Sequence, residues 1–171
     1  MSLEEIAKKM CTKGKGILAA DESTGTMDKR LKSVGIESTE KNRLHFRETL
    51  FTADAMKDYI GGVILFDETI RQKINSGISV PALLEKNNSV VGIKVDKGAK
   101  QLAGSPEETV TEGLDGLRER LNEYYKLGAR FTKWRAVYNI GSKLPSAQSI
   151  KSNAHALARY CLLYTSDAAD E

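Results

Sequence analysis

The chain has 171 residues, of which 40% are hydrophobic, and its formal net charge is +3. This composition suits a globular protein with one ordinary core, and so small a charge gives no support to nucleic-acid binding. No segment reaches the roughly 20 continuous apolar residues that a membrane-spanning helix needs. The polar start, MSLEEIAKKM, is unlike a secretory signal peptide, and Cys11 and Cys161 lack the spacing of metal ligands. We therefore expect a cytoplasmic protein without a metal site or membrane partner.

Helical and strand-like segments alternate along the first half of the chain. A short helix is predicted where Leu3, Ile6, Ala7 and Met10 follow helical spacing, and it ends near Gly14. The segments after it are a strand over 16–20, a helix over 38–58 capped by Ser38 or Thr39, and strands over 62–66 and 90–96.

A helix start signal stands in the second half, at Ser105-Pro106-Glu107-Glu108. It combines a capping box with a proline at the first helical position. An apolar face continues from there, and Gly128 is a typical helix end. The face is formed by Leu114, Leu117, Leu121 and Tyr124. We predict a strand over 129–135 after this helix, and a last helix that begins near Ser146.

Four apolar strands separated by helices are typical of parallel βαβ units. A (β/α)8 barrel and a doubly wound sheet both fit this pattern. A doubly wound sheet should carry a Gly-x-Gly-x-x-Gly turn after its first strand, whereas Gly14-Lys15-Gly16 precedes the strand here. We therefore favour the α/β class and a TIM barrel. Only the first four β/α units are expected in this chain, because such a barrel has about 250 residues and eight strands.

Charged residues follow three of the predicted strands at their C-terminal ends, which form the catalytic face of such barrels. Because side chains alternate along a strand, Lys94 and Asp96 share one face, and so do Lys133 and Arg135. Asp21 directly follows the first strand and is expected on the same face as Ile17 and Ala19. We expect a carboxylate, two lysines and an arginine to converge on one opening.

Each of these residues also has a purely structural interpretation. The Lys94–Asp96 pair fits an ordinary ion pair, and the two charges around Trp134 fit an exposed strand end. The segment Asp21–Ser23 fits the cap of the next helix. The recurrence of charge at the same end of three apolar strands favours a site over these alternatives.

The residue types at this opening favour a phosphorylated small molecule as substrate. A lysine in apolar surroundings can act as a base or nucleophile. The fixed fork of Arg135 suits phosphate oxygens, and so does the hydroxyl-rich loop Ser23–Thr26.

Six segments, in chain order, resemble class I fructose-1,6-bisphosphate aldolases. They are KGILAADESTGT, GGVILF, VGIKVDKG, TEGLDGL, FTKWR and NAHALARY, and the resemblance covers residues 3–160 almost without gaps. It implies a (β/α)8 barrel, usually a homotetramer, that acts in glycolysis and gluconeogenesis. Such enzymes reversibly cleave fructose 1,6-bisphosphate to dihydroxyacetone phosphate and glyceraldehyde 3-phosphate. They use a lysine Schiff base and need no metal or other cofactor.

The resemblance also implies roles for individual residues. Asp21 would assist proton transfer, and Lys133 would stand beside the Schiff-base lysine. Substrate oxygens and phosphate groups would be bound by Lys94, Arg135, Ser23 and Thr26, with Lys29, Arg30 and Arg43 near the opening.

The Schiff-base lysine, a glutamate pair and a further phosphate-binding arginine are expected beyond Tyr160. Residues 1–160 would then be the first half of the barrel, and the chain alone would be inactive. Residues 161–171, CLLYTSDAADE, break the preceding helical pattern and resemble the translation of a sequencing adapter, so we expect them to be non-native. Two alternatives stay open: a phosphate-binding α/β module without catalysis, and a scaffolding protein.

Overall fold

A computed structural model describes residues 2–166, so the acidic end of the predicted non-native tail, 167–171, lies outside the described residues. The chain divides into two compact units: Met1–Lys94 with Tyr124–Thr132, and Val95–Glu123 with Lys133–Glu171. In chain order the elements are α1 (Leu3–Met10), β1 (Gly16–Ala20), α2 (Thr24–Ser33), α3 (Glu40–Phe51), α4 (Ala55–Tyr59), β2 (Ile60–Leu65), α5 (Asp67–Ile70), α6 (Val80–Lys86), β3 (Val90–Lys94), β4 (Ala99–Leu102), β5 (Ser105–Thr111), α7 (Leu117–Lys126), β6 (Phe131–Lys133) and α8 (Ala147–Ser166).

Four strands form one sheet in the order β1-β2-β3-β6. β1 pairs in parallel with β2, and β2 pairs in parallel with β3. Arg130 N donates to Val91 O at 2.8 Å, and Val95 N donates to Lys133 O at 3.1 Å. From the first bond to the second, the residue numbers rise on both strands, as they do in a parallel pair. Each of the four predicted strands is thus a member of this sheet.

One face of the sheet supplies much of the core of the first unit. Val63 is the register partner of Val91, and Leu65 is the partner of Ile93, so these four side chains point the same way. All four are buried. Burial of such a side chain contributes about 1.5–3 kcal/mol to folding, and it fixes the register, because a slip by one residue would turn all of them to the other face.

The opposite face is shaped by two glycines and one aromatic ring. A Cβ at Gly92 would overlap the ring of Phe131, and a Cβ at Gly62 would lie 3.2 Å from it. Gly92 therefore has to be glycine for the ring to fit there, whereas a side chain at Gly62 would require the ring to shift by a few tenths of an ångström. Ile17, the partner of Gly62 on the edge strand β1, is 45% exposed. Unlike the core face, this face stays partly open.

Helix α3 begins where the sequence predicts, but it ends early, and α5 and α6 were not predicted. The Thr39 side chain accepts from Asn42 N at 3.1 Å, which confirms the predicted cap of α3. The prediction of one helix over 38–58 is wrong, because α3 ends at Phe51 and α4 begins at Ala55. At the break, Thr52 Oγ1 donates to Glu48 O at 2.8 Å, and such bonds back to the preceding turn bend or end helices.

The largest correction concerns the segment that begins at Ser105. A helix is predicted from Pro106, but residues Ser105–Thr111 form β5, which pairs antiparallel with β4 in a two-stranded sheet. The helix starts only at Leu117 and ends before Gly128. The last helix begins directly after Ser146, as predicted, and continues past Tyr160 to Ser166.

The capping-box pattern fails at this position because other residues favour a hairpin. Gly104 has a φ of +79°, which suits the tight turn that joins β4 and β5. Thr109, Val110 and Thr111 are β-branched residues that favour strands. The Glu108 carboxylate, which the pattern assigns to a neighbouring backbone N–H, instead accepts from Ser146.

We predict that Gly61→Ala destabilises the first unit. A Cβ at Gly61 would overlap the carbonyl oxygen of Met10, and main chain rather than a flexible side chain would have to move. Overpacking of this kind costs about 1–3 kcal/mol, and urea unfolding would measure the loss. Gly16→Ala is the matched control, because nothing lies within 4 Å of a Cβ there. Equal stabilities of the two variants would contradict the prediction.

Candidate functional site

The register of β1, β2 and β3 brings Asp21 and Lys94 to the same edge of the sheet. Ala20, Leu65 and Ile93 are register partners, so the residues that follow them stand at one level. By strand alternation, Asp21 and Lys94 continue the partly open face. Their main chains are two strands apart, about 10 Å at the usual spacing of parallel strands. A carboxylate and an ammonium group are thus placed where they can act on one small molecule.

The Ser23–Thr26 loop forms the start of α2. Ser23 holds the N-cap position, but its hydroxyl makes no capping hydrogen bond within the described residues. Its Oγ instead lies 3.2 Å from Thr26 Oγ1. Because first-turn N–H groups lack partners inside a helix and attract anions, two hydroxyls at this end suit a phosphate group. The cap interpretation therefore explains the position of Ser23 but not the direction of its hydroxyl.

The two predicted arginines of the first unit have carboxylate partners. Arg43 is 9% exposed; its Nε donates to Glu68 Oε2 at 2.9 Å and its Nη1 donates to Ser38 O at 2.6 Å. The hydrogen bond to Glu68 raises the pKa of Arg43. Arg30 donates to Glu22 Oε1 while more than half of its side chain stays exposed. Arg30 is thus the more accessible of the two for a ligand.

A third arginine, Arg47, is fully buried and is not among the residues predicted from the sequence. Its Nε donates to Ala20 O at 3.1 Å, and its Nη2 donates to Glu22 O at 2.6 Å. Burial lowers the pKa of Arg47, and Glu22 and Glu68 oppose this effect. The signal in the sequence is the stripe Arg43–Arg47–Phe51, which follows helical spacing on the buried face of α3.

Lys133 and Arg135 belong to the second unit. Lys133 is the last residue of β6 and is half-buried, and Arg135 follows it and is exposed. Because β6 ends at Lys133, and not at the predicted residue 135, strand alternation does not extend to Arg135. Between them, the Trp134 ring stacks on Tyr160, with 5.3 Å between ring centroids and 26° between ring planes. This stack fixes the main chain between the two cations.

The unpredicted hairpin of β4 and β5 holds the segment after β6. Thr111 Oγ1 donates to Arg135 O at 2.7 Å, and Thr109 Oγ1 donates to Val137 O at 3.0 Å. The buried Asn153 of α8 completes the edge of β5, because its Oδ1 accepts from Thr111 N at 3.1 Å and its Nδ2 donates to Thr109 O at 2.9 Å. The hairpin therefore positions Arg135 by contacts to its main chain.

Among residues 2–166, no helix is both long and apolar enough to cross a membrane. No group of three or more His, Cys, Asp or Glu side chains in this range is placed to hold a metal ion.

The chain matches a family model, known relatives and solved structures. The model described as class-I fructose-bisphosphate aldolase matches residues 2–168. A protein of Xylella fastidiosa named "Probable fructose-bisphosphate aldolase class 1" is 59% identical over 161 residues, which is 94% of this chain and 48% of the relative. The cytoplasmic isozyme 1 of fructose-bisphosphate aldolase from Pisum sativum is 54% identical over 92% of this chain and 44% of its own length.

A solved structure has the same fold over the matched part. It is fructose-bisphosphate aldolase from Plasmodium falciparum, in complex with TRAP and a small-molecule inhibitor. The TM-score is 0.90 at 46% identity, over 94% of this chain and 47% of that chain. The chain thus spans about half the length of the relatives that it matches.

We predict that Glu108 makes the stability of the second unit depend on pH. Its buried carboxylate accepts from Ser146 N at 2.7 Å and from Ser146 Oγ at 2.6 Å, and these bonds lower the pKa of Glu108 in the folded chain. A lowered folded-state pKa means that the contribution is present above the unfolded-state pKa and is lost as the pH falls through the folded-state pKa. Urea unfolding from about pH 7 to about pH 3 would measure the loss.

Glu108→Gln should remove this part of the pH dependence, since it cannot ionise. Glu107→Gln is the matched control, because Glu107 is the exposed neighbour on the same strand. A pH profile that is the same in Glu108→Gln and in the unsubstituted chain would contradict the assignment.

Proposed function

The chain belongs to the class I fructose-bisphosphate aldolase family, and we propose that it supplies the first half of an aldolase active site. The reaction is the reversible cleavage of fructose 1,6-bisphosphate to dihydroxyacetone phosphate and glyceraldehyde 3-phosphate, in glycolysis and gluconeogenesis. The observation that carries this proposal is the common level of Asp21 and Lys94 on the open face of the sheet. The name of the pea relative supports a cytoplasmic location.

In this proposal, Asp21 is the carboxylate that moves protons at the reacting carbons. It is 9% exposed, and low exposure to water favours control of a proton over exchange with solvent. Lys94, on the same face, binds substrate oxygens. Lys133 stabilises charge beside the Schiff-base position, and Arg135 binds the phosphate group far from it.

The phosphate loop of this proposal consists of Ser23 and Thr26. Their hydroxyl oxygens are 3.2 Å apart at the start of α2, which suits two bonds to one phosphate. Arg30, exposed beside this loop, adds a positive charge. Arg43 lies near the opening of the site and has only a secondary part in binding, because its guanidinium group is bonded to Glu68.

The remaining parts of the site lie, in this proposal, outside the 171 residues. The parallel strands β1, β2, β3 and β6 are the first four strands of a (β/α)8 barrel. The Schiff-base lysine, the glutamate pair and a further arginine come from the second half, and the whole enzyme is a homotetramer. The chain alone is inactive because it lacks the lysine nucleophile, and residues 161–171 are a non-native tail after residues 1–160.

A second candidate function is a phosphate-binding module that does not catalyse. The Ser23–Thr26 pair favours it, because this part of the site lies within one unit and needs no missing residue. Such a module would bind sugar phosphates and would not acquire lyase activity when a second half is supplied.

We predict that a chimera of residues 2–160 and the second half of the Xylella fastidiosa relative cleaves fructose 1,6-bisphosphate. The 171-residue chain should form no borohydride-trapped adduct with dihydroxyacetone phosphate, whereas the chimera should form one. A coupled assay for dihydroxyacetone phosphate measures the cleavage. A folded chimera without activity or adduct would contradict the aldolase proposal and favour the phosphate-binding module.

Lys133→Met in the chimera should lower kcat about a hundredfold or more, as expected for loss of a group that acts on the reacting atoms. Lys126→Met is the matched control, because Lys126 is an exposed lysine in the last turn of α7. Similar activities of the two variants would show that Lys133 has no part in the reaction.

A further inference from the structure

The contacts of Arg47 are unusual for a buried arginine. Its side chain has no exposure to solvent, yet its two close hydrogen bonds go to main-chain carbonyls, those of Ala20 and Glu22. These carbonyls stand on either side of Asp21. The planar guanidinium group thus holds the chain immediately before and immediately after the proposed catalytic carboxylate.

The ion pairs of Arg47 do not account for its two hydrogen bonds to main-chain carbonyls. The nearest carboxylate oxygens lie farther away, with Glu22 Oε2 at 3.6 Å from Nη2 and Glu68 Oε2 at 4.0 Å from Nη1. Nη1 has no hydrogen-bond partner among the described residues. The two carboxylates therefore pair with the guanidinium group at ion-pair distance, while its two hydrogen bonds go to main-chain carbonyls.

Packing does not account for Arg47 either. Burial of a guanidinium group has a large desolvation cost, and apolar side chains of similar volume often replace buried ion pairs without loss of stability. On the same face of α3, one turn later, the fully buried Phe51 fills the core without such a cost. An arginine is useful at this position for what a methionine cannot do, which is to donate two hydrogen bonds in a fixed direction.

The main chain at Asp21 needs further contacts to fix its position. Ala20 is the last residue of β1 to pair with β2, and α2 begins at Thr24. The segment between them, Asp21–Ser23, belongs to neither element. Because Arg47 is carried by α3, its bonds to Ala20 at the end of β1 and to Glu22 in the connecting segment tie both to a third element of the first unit.

We propose that Arg47 is a positioning residue, which sets the place of Asp21 relative to Lys94 and directs the start of the Ser23–Thr26 loop. The inference rests on the proposed function for the role of Asp21. Arg47 itself touches no reacting atom. Its effect is transmitted through the two carbonyl groups that it binds.

The first test measures the hold itself in the 171-residue chain. The carbonyl 13C signals of Ala20 and Glu22 report directly on hydrogen bonds to these oxygens. Arg47→Lys and Arg47→Met should both shift the two signals, because neither side chain offers the planar fork. Phe51→Leu is the matched control, since it disturbs the same buried stripe of α3 and should leave both signals in place. Unchanged signals in both Arg47 variants would overturn the proposal.

The second test measures catalysis in the chimera of the preceding section. Arg47→Lys should lower kcat about tenfold or more and change KM for fructose 1,6-bisphosphate little, because a misplaced catalytic group costs rate more than binding. Phe51→Leu should lower the melting temperature without this drop in kcat. A kcat of Arg47→Lys equal to that of the unsubstituted chimera would overturn the positioning role.

The two tests separate the inference from the proposed function. An unsubstituted chimera that folds but does not cleave the sugar would contradict the aldolase proposal and, with it, the catalytic purpose of Arg47. The carbonyl signals would still decide whether Arg47 holds the main chain. Arg47 would have a purely structural part if Arg47→Lys were more stable than Arg47→Met and kept the full kcat.

Discussion

The alignment of strand ends is the constraint on which the first unit depends. Leu65 and Ile93 stand at one level because the buried side chains of β2 and β3 fix their register, and the pairing of β1 with β2 places Ala20 beside Leu65. Packing on one face of the sheet thereby decides what is presented at its edge. Asp21 and Lys94 are polar residues whose placement is fixed by buried apolar neighbours.

A cluster of ion pairs lies next to this edge of the sheet. Glu22 lies between Arg30 and Arg47, and Glu68 lies between Arg43 and Arg47. Such a cluster is a costly way to stabilise a fold, since every buried charge must be compensated. The cluster is useful because its hydrogen bonds fix the orientation of the groups involved, which apolar packing leaves free. The second unit uses neutral groups for the same purpose, in the threonines and the asparagine that hold the hairpin and the chain beside it.

The sheet and its polar edge were predictable from the sequence because they depend on local patterns. Apolar runs that end in charged residues indicate the strands and their functional ends without knowledge of the partners. The hairpin was not predictable in this way. Glu108 lies in a pattern typical of a helix start, but its partner, Ser146, is distant in the chain, and the strand pairing outweighed the local preference.

Arg47 illustrates a different limit of the sequence. Its spacing from Arg43 and Phe51 marks the buried face of α3, yet charged residues at such spacing usually form a solvated face. Only the structure shows that the carbonyls of Ala20 and Glu22 receive its hydrogen bonds. The partner of a buried donor lies on another element, and a single sequence carries no record of that pairing.

The stack of Trp134 on Tyr160 has a practical consequence. Trp134 is the only tryptophan in the sequence, and both rings belong to the second unit. Its intrinsic fluorescence therefore reports the melting of that unit alone, whereas far-ultraviolet circular dichroism follows the helices of both. Coincident melting curves would indicate that the two units unfold in one step, and separate curves would indicate two steps.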